Sequence, residues 1–313
     1  MKRSFFILCA VVATALASVA CANVAAPAPT VSPAPASTLA PAVPSATAAV
    51  PPAPPTASLP TPSVEPTSVP AASPVPGAAV SFDRLSLTLP AGVASGAAGN
   101  LVDKAEGDNV PPWGVAPAHI QLKLDGYALQ DKFHQPEIFV YPAEEFAQMQ
   151  NGAAQSLERL RNLLAPNSSV PMTTENLPFV PFFEATQVFA ADTKVIPFQQ
   201  GRGVRELTEY AQYPAPVNNH ELIYQFEGLT DDGKYYVIAI LPVTAPGLQE
   251  SAQPGAAVPE GGVPAPDLSS ANPDFPGYYA KVQQMLEGLE PGAFTPSLDQ
   301  LDALIGSLSI ATN

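Results

Sequence analysis

The most informative stretch of the chain reads Glu221-Leu-Ile-Tyr-Gln-Phe-Glu-Gly-Leu229, then Asp231-Asp232-Gly233, then Lys234-Tyr-Tyr-Val-Ile-Ala-Ile-Leu-Pro-Val243. Asp and Gly accept the positive φ of tight hairpin turns, so the two flanking segments are predicted to be paired antiparallel strands. The second segment is apolar without a break from residue 235 to residue 241, which is typical of a strand covered on both faces. This hairpin is therefore predicted to form the centre of a sheet.

Alternating apolar and polar residues predict further strands on both sides of the hairpin. They lie at residues 85–89, 119–124, 137–141, 186–198 and 203–213. Apolar residues at three- and four-residue steps predict helices over residues 144–164, 278–289 and 297–307, the last with Ser297 and Gln300 at capping-box spacing. The predicted fold class is α+β, a mainly antiparallel sheet with helices packed on it.

Two stretches of the domain lack such periodicity. Residues between Pro90 and Pro117 are rich in Gly, Asn and Pro and are predicted to be a long loop. Residues 244–276 are rich in Pro, Gly and Ala with scattered acids, and this composition predicts a disordered loop.

The first twenty residues have the pattern of an export signal. Lys2 and Arg3 precede an apolar run, and small residues follow it, so residues 1–20 are predicted to be a signal peptide. Cys21 comes directly after this run, at the position that is lipid-modified in bacterial lipoproteins, although Ser18 departs from the aliphatic residue of the lipobox that the run resembles. Cleavage without lipidation, after Ala20 or after Ala22, and an uncleaved anchor are the alternatives.

The segment that follows Cys21 differs from the rest of the chain. Residues 22–78 consist almost wholly of Ala, Pro, Ser, Thr and Val, and Glu65 is their one charged residue. Proline removes backbone donors and fixes φ, so residues 21–78 are predicted to be a disordered tether. It is predicted to hold the domain of residues 79–313 away from a membrane; an inert tail, glycosylated on Ser and Thr, is the alternative.

The charge balance excludes some partners. The protein carries 13 Lys and Arg against 28 Asp and Glu, a formal net charge of -15. Binding to nucleic acid or electrostatic adhesion to anionic lipid would need basic patches instead. Cys9 and Cys21 are the two cysteines, so the predicted domain cannot form an internal disulfide.

The sequence contains no nucleophile elbow, phosphate-binding loop or dinucleotide fingerprint. His220-Glu221 begins like a zinc-protease motif, but Tyr224 stands in place of the second histidine, and positions i and i+4 of a strand are about 13 Å apart. Asp103, Glu106, Asp108 and Asn109 supply oxygen donors without the spacing of a known calcium loop. No catalytic residue, metal ligand or cofactor site is therefore predicted.

Two sets of residues leave an alternative open. The pairs Glu206/Glu209 and Glu221/Glu227 are compatible with the two carboxylates of a glycosidase, or with strand carboxylates on a solvent face. Aromatic residues could line a groove for a sugar or a peptide, or could be core residues: Trp113, Tyr210, Tyr213, Tyr235 and Tyr236. Because Trp113 is in a Pro-rich loop, we predict a surface contact there.

Several segments resemble a known group of proteins. The strand ending in Leu89-Pro90, the strands at 203–213, 221–229 and 234–243, and the closing Leu304-Ile-Gly-Ser-Leu-Ser-Ile310 resemble the Mog1/PsbP-like α/β/α sandwich over residues 80–310. The strings Gly-Val-Arg, Asn-Asn-His-Glu-Leu and Gly-Leu-Thr-Asp-Asp-Gly-Lys-Tyr-Tyr resemble uncharacterised lipoproteins. This resemblance implies a non-enzymatic accessory or binding role and carries over no site residue.

These observations together predict an exported, lipid-anchored, non-enzymatic accessory or binding protein of the bacterial cell envelope. Its predicted partners are the membrane, through a lipid on Cys21, and an envelope protein or small ligand, with no nucleic acid. The alternative is a secreted hydrolase that acts on cell-wall polymers or glycans.

Overall fold

The computed structural model describes residues 77–180, 183–253, 255–267 and 269–311. The predicted signal peptide, Cys21 and the predicted tether up to residue 76 lie outside the described residues. Among the described helices, none is both long enough and apolar enough to span a bilayer.

The described residues form twelve strands and four α-helices. The strands are β1 Gly77–Phe82, β2 Leu85–Pro90, β3 Gly96–Val102, β4 His119–Asp125, β5 Glu137–Pro142, β6 Thr186–Gln187, β7 Ala191–Phe198, β8 Gly201–Thr208, β9 Tyr210–Ala211, β10 Ile223–Thr230, β11 Tyr235–Pro242 and β12 Ser309–Ile310. The helices are α1 Ala143–Met149, α2 Asn151–Leu164, α3 Phe275–Glu287 and α4 Leu298–Gly306.

The main sheet of the described part has seven strands in the order β3-β4-β5-β11-β10-β8-β7, and all of its pairs are antiparallel. Strands β10 and β11 form the predicted hairpin, with Ile223 opposite Pro242 and Gly233 at φ 71° in the turn. The apolar strand β11 is the fourth of the seven and is buried along most of its length, as predicted. The α+β class with a mainly antiparallel sheet is confirmed.

Helices cover both faces of the main sheet. Along β10, Tyr224 and Phe226 lie in one apolar core, which also contains buried residues of α3 and α4. Ile223 lies in a second core, which contains buried residues of α1 and α2. Consecutive strand residues point to opposite faces, so β10 contributes to both cores, and polar side chains at its second-face positions are enclosed under α1 and α2.

A small three-stranded sheet packs against the first core. Strand β2 lies between β1 and β12, and its alternating leucines are buried against α4. The predicted capping box of α4 is present: the backbone N–H of Gln300 donates to Ser297 Oγ at 3.2 Å, and the Ser297 N–H donates to Gln300 Oε1 at 3.1 Å.

The predicted loop between Pro90 and Pro117 is wrong in part, because it contains strand β3. The segment Gly96-Ala-Ala-Gly99 lacks the apolar alternation of a strand. Its small residues are explained by a close approach, since a Cβ at Gly99 would collide with the ring of Phe82 in β1.

The segment of residues 244–274 contains no helix or strand within its described residues, and its first part is packed. Ala245 and Leu248 are buried in the first core. The Asn219 side chain donates to the backbone oxygens of both residues, at 3.2 and 3.3 Å. Helix α3 begins at Phe275, three residues before its predicted start, because Asp274 caps it by accepting from the Gly277 N–H at 2.9 Å.

Candidate functional site

Three glutamates of the β8–β10 region are buried, and Glu227 is the centre of a polar network on the second face of the sheet. Glu206 of β8 and Glu227 of β10 lie on the second face of the sheet, where Glu206 is opposite Gln225. Glu227 accepts from the Gln225 amide at 2.7 Å, from the Val180 N–H at 3.0 Å and from the Tyr236 hydroxyl. This network is enclosed, so its carboxylates are remote from solvent.

Burial changes the acidity of this pair. It raises the pKa of Glu206 well above the ordinary value; the neighbouring Glu227 raises it further, and the Gln187 amide, which donates at 2.8 Å, opposes the rise. Burial also raises the pKa of Glu227 to about 7, against the hydrogen bonds from Tyr236, Val180 and Gln225. Glu206 Oε2 has no hydrogen-bond partner among the described residues. Burial therefore favours the protonated form of both carboxyls.

Glu209 and Glu221 form a different pair. Glu209 is buried and accepts from the Asn218 N–H at 3.0 Å and from the Asn218 side-chain amide at 3.2 Å. Burial raises the pKa of Glu209 well above its ordinary value; the Asn218 N–H lowers it, and the adjacent half-buried Glu221 raises it. The predicted pairs Glu206/Glu209 and Glu221/Glu227 are thus replaced by Glu206/Glu227 and Glu209/Glu221. A solvent-face position is wrong for Glu206, Glu209 and Glu227.

A cleft of about 470 Å³ lies next to the second pair and is the strongest candidate site in the described part of the chain. Three segments line it: Phe133 and His134, residues 183–185, and residues 210–213 with Ala215; Glu221 and Ala252 complete the lining. Its rings are in contact in series, with ring centroids 4.9 Å apart for Phe133 and His134, 5.1 Å for His134 and Phe183, and 4.8 Å for Phe183 and Tyr210. We call this the aromatic cleft.

Hydrogen bonds hold the walls of the aromatic cleft in place. The Phe133 N–H donates to the His220 carbonyl at 2.9 Å, which attaches that wall to the start of β10. On the opposite wall, the Ala215 N–H donates to the Tyr279 hydroxyl at 3.0 Å, and the Val217 N–H donates to the Tyr278 hydroxyl at 3.0 Å. Both tyrosines belong to α3, so a helix of the first core positions the cleft wall.

His134 is the buried histidine of the aromatic cleft. Its Nε2 has no hydrogen-bond partner among the described residues. Burial lowers its pKa to about 4, and His220 contributes to the decrease by charge repulsion. His134 is therefore neutral at pH 7, and it adds no positive charge to the cleft.

The predicted aromatic residues are distributed among four places. Tyr210 and Tyr213 line the aromatic cleft, whereas Tyr236 is part of the buried network and Tyr235 accepts a hydrogen bond from Arg84. Trp113 lies in the short 3-10 helix Pro112–Gly114 and is 47% exposed, which is compatible with the predicted surface contact, but it is not a lining residue of the cleft.

Sequence reasoning missed Phe133, His134 and Phe183. They lie in irregular segments where no periodicity marks them, and 50 residues separate the two phenylalanines. The available signal was an aromatic residue in the polar run Asp131-Lys-Phe-His134, where a ring has no predicted core to enter.

The arrangement is suited to binding. The accessible carboxylates in the lining are those of Glu184 and Glu221. No group of three metal-ligating side chains is found in the described residues, the loop of Asp103, Glu106 and Asp108 included.

No model of a protein family, no curated protein and no solved structure matches this chain.

Proposed function

We propose that this protein is an exported, lipid-anchored, non-enzymatic binding protein of the bacterial cell envelope, and that it holds a small ligand in the aromatic cleft. The observation that carries the binding role is the cleft itself, a concavity of about 470 Å³ with a continuous series of rings and few polar groups. Small-molecule sites are commonly concave, mostly apolar and furnished with a few placed polar groups.

Exposed rings at the cleft support this role. Phe133 is 65% exposed and Tyr213 is 73% exposed, although each could bury a large apolar area. Clustered apolar surface in contact with water is a common mark of a binding site. A ligand between these rings would remove that surface from water.

The proposed anchor rests on the sequence. Cys21 follows a signal-like leader, and a Pro-rich segment of more than fifty residues separates it from strand β1. A long spacer is useful when one of its ends is held.

We also assign the domain to the Mog1/PsbP-like α/β/α sandwich, and helices on both faces of an antiparallel sheet support that assignment.

Metabolic labelling tests the anchor. Cells that express the full chain are grown with an alkyne analogue of palmitate, and the labelled protein is detected after click chemistry. We expect label on the wild type and none on Cys21→Ser. Label that persists in Cys21→Ser, or an unlabelled wild type, would reject lipidation at this cysteine.

A neutral fluorescent probe tests the cleft independently of ligand identity. N-phenyl-1-naphthylamine, which is apolar and uncharged, is titrated into the full-length Cys21→Ser protein. We expect saturable binding that the double substitution Phe133→Ala/Tyr213→Ala weakens at least about fivefold, because two ring contacts are lost. The control Trp113→Ala removes an exposed ring elsewhere and should leave the affinity unchanged. Equal binding by all three proteins would contradict the proposal.

The hydrolase remains a second candidate because Glu184 and Glu221 are both accessible in one cleft. Two carboxylates that flank a sugar are the machinery of most glycosidases. The test is the release of reducing ends from purified peptidoglycan by the wild type, Glu184→Gln and Glu221→Gln. Our proposal predicts no release above a heat-denatured control; release that either substitution abolishes would replace binding with catalysis.

A further inference from the structure

We propose that the ligand of the aromatic cleft carries an organic cation, such as an alkylammonium or quaternary ammonium group; this inference rests on the proposed binding function. The cleft combines two accessible carboxylates with exposed aromatic rings, and both attract positive charge.

The charges of the cleft all have one sign. Glu184 is exposed and Glu221 is half-buried, and both line the cleft. Its described lining residues include no lysine and no arginine. Lys132, which precedes Phe133 in the chain, lines a neighbouring cavity of about 170 Å³ that shares His134 with the cleft, and it is not itself a lining residue of the cleft. A cation in the aromatic cleft would therefore meet attraction from both carboxylates without competition from a resident side-chain cation.

The aromatic rings are the second source of attraction for a cation in the cleft. Aromatic faces carry negative electrostatic potential, and a cation within about 6 Å of a ring centroid is attracted to it. Phe133 and Tyr213 are exposed, so their surfaces are available to a ligand, while Phe183 and Tyr210 are half-buried or buried behind them. Several rings around one cation, together with carboxylates, is the arrangement that selects quaternary ammonium groups over neutral analogues of the same shape.

His134 supports the same ligand class. The imidazole is neutral at pH 7, so it does not repel a cation. Its Nε2 is buried without a hydrogen-bond partner among the described residues, beneath the Phe133 ring and beside Phe183. The Phe133 ring is nearly perpendicular to the imidazole, with ring centroids 4.9 Å apart, and is itself largely exposed.

A neutral sugar fits this lining less well. A sugar could hydrogen-bond to the two carboxylates and to Gln212 and Tyr213 of the lining, but as a neutral molecule it would gain no charge attraction from the carboxylates. The Tyr210 hydroxyl already donates to Gln225 at 2.7 Å. The whole chain adds to the preference, because its formal net charge of -15 favours the approach of cations over anions.

The test compares two probes of the same shape. Choline and its uncharged isostere 3,3-dimethylbutan-1-ol are each titrated calorimetrically into the full-length Cys21→Ser protein. We expect choline to bind at least about fivefold more tightly than the isostere, which corresponds to about 1 kcal/mol of cation–π and charge attraction.

Matched variants locate the site. Glu221→Gln keeps the shape and removes one charge, and Tyr213→Ala removes one ring; each should weaken choline binding at least about threefold. Glu221→Gln should weaken binding of the uncharged isostere less than it weakens binding of choline. Trp113→Ala is the control that should change nothing.

Each outcome decides between the two claims. Equal affinity for choline and the isostere, or choline binding that is insensitive to Glu221→Gln, would overturn the cationic class while the cleft remains a binding site. Saturable binding of N-phenyl-1-naphthylamine in the cleft with no binding of choline would also overturn the cationic class and leave the cleft as a binding site. Failure of that neutral probe as well would overturn the proposed binding function.

Discussion

Glu227 is the residue whose environment has the clearest measurable consequence. Its pKa rises from 4.5 to about 7 because it is buried. Between these values the folded protein holds a proton that the unfolded chain has lost. The contribution of Glu227 to the free energy of unfolding is therefore fully present below pH 4.5, and it is lost as the pH rises through about 7. Glu206 and Glu209, with their raised pKa values, act in the same direction.

His134 acts in the opposite direction, over a lower range. Its pKa falls from 6.5 to about 4, so the unfolded chain binds the extra proton between these values. Its contribution to stability therefore grows as the pH rises from about 4 to 6.5 and is complete above that range. His119, whose pKa burial also lowers, acts in the same direction as His134. Near pH 6.5 the histidine and carboxylate contributions overlap, so the contribution of Glu227 is isolated by comparing the wild type with Glu227→Gln.

We predict that the free energy of unfolding decreases between pH 6.5 and pH 8.5, with about 1 kcal/mol from Glu227 alone. Urea unfolding of the full-length Cys21→Ser protein measures it. Glu227→Gln should reduce the decrease, because the amide does not titrate. The same change in free energy of unfolding for the wild type and for Glu227→Gln over this range would show that Glu227 is already ionised in the folded protein.

At the scale of elements, α4 depends on its N-terminal cap. Ser297 Oγ accepts from the Gln300 N–H at 3.2 Å, and the helix packs with Leu301 and Leu304 in the first core. We predict that Ser297→Ala lowers the free energy of unfolding by about 1 kcal/mol. Urea unfolding of this variant measures the loss, and Ser270→Ala, at an exposed loop serine, is the control. Equal stabilities of the two variants would contradict the role of the cap.

The elements differ in how far the sequence predicts them. The β10–β11 hairpin and the α4 capping box follow from local signals, namely Asp231-Asp232-Gly233 and the Ser297/Gln300 spacing, and both are confirmed. Strand β3 does not, because its small residues are set by the contact between Gly99 and Phe82, which are distant in sequence. A pattern of single residues reports local preference but not such tertiary contacts.

The candidate site shows the same limit more strongly. Tyr210 and Tyr213 were among the predicted aromatic residues, but Trp113 lies away from the cleft they line. The partners Phe133 and Phe183 belong to irregular segments that the fold brings together through the His220 carbonyl and the pairing of β6 with β9. The neighbouring glutamates were also unpredictable, because Glu206 and Glu227 are diagonal neighbours on two strands whose register the sequence does not specify.

At the scale of the whole molecule, the acidic balance should affect ligand binding. The formal net charge of -15 produces a field that added salt screens. We predict that choline binds several-fold more weakly in 0.5 M NaCl than in 0.05 M NaCl, whereas binding of 3,3-dimethylbutan-1-ol is not weakened. Calorimetry at the two salt concentrations measures this difference. A choline affinity that is independent of salt would exclude an electrostatic contribution.

The central claim is that the aromatic cleft is where this protein binds its ligand. The most direct measurement is an NMR titration of the isotope-labelled full-length Cys21→Ser protein with choline. We predict progressive, saturable shifts of the amide signals of Phe133, His134, Tyr213 and Glu221, with the Trp113 indole signal unchanged. Shifts centred on Trp113, or none at the cleft residues, would contradict it.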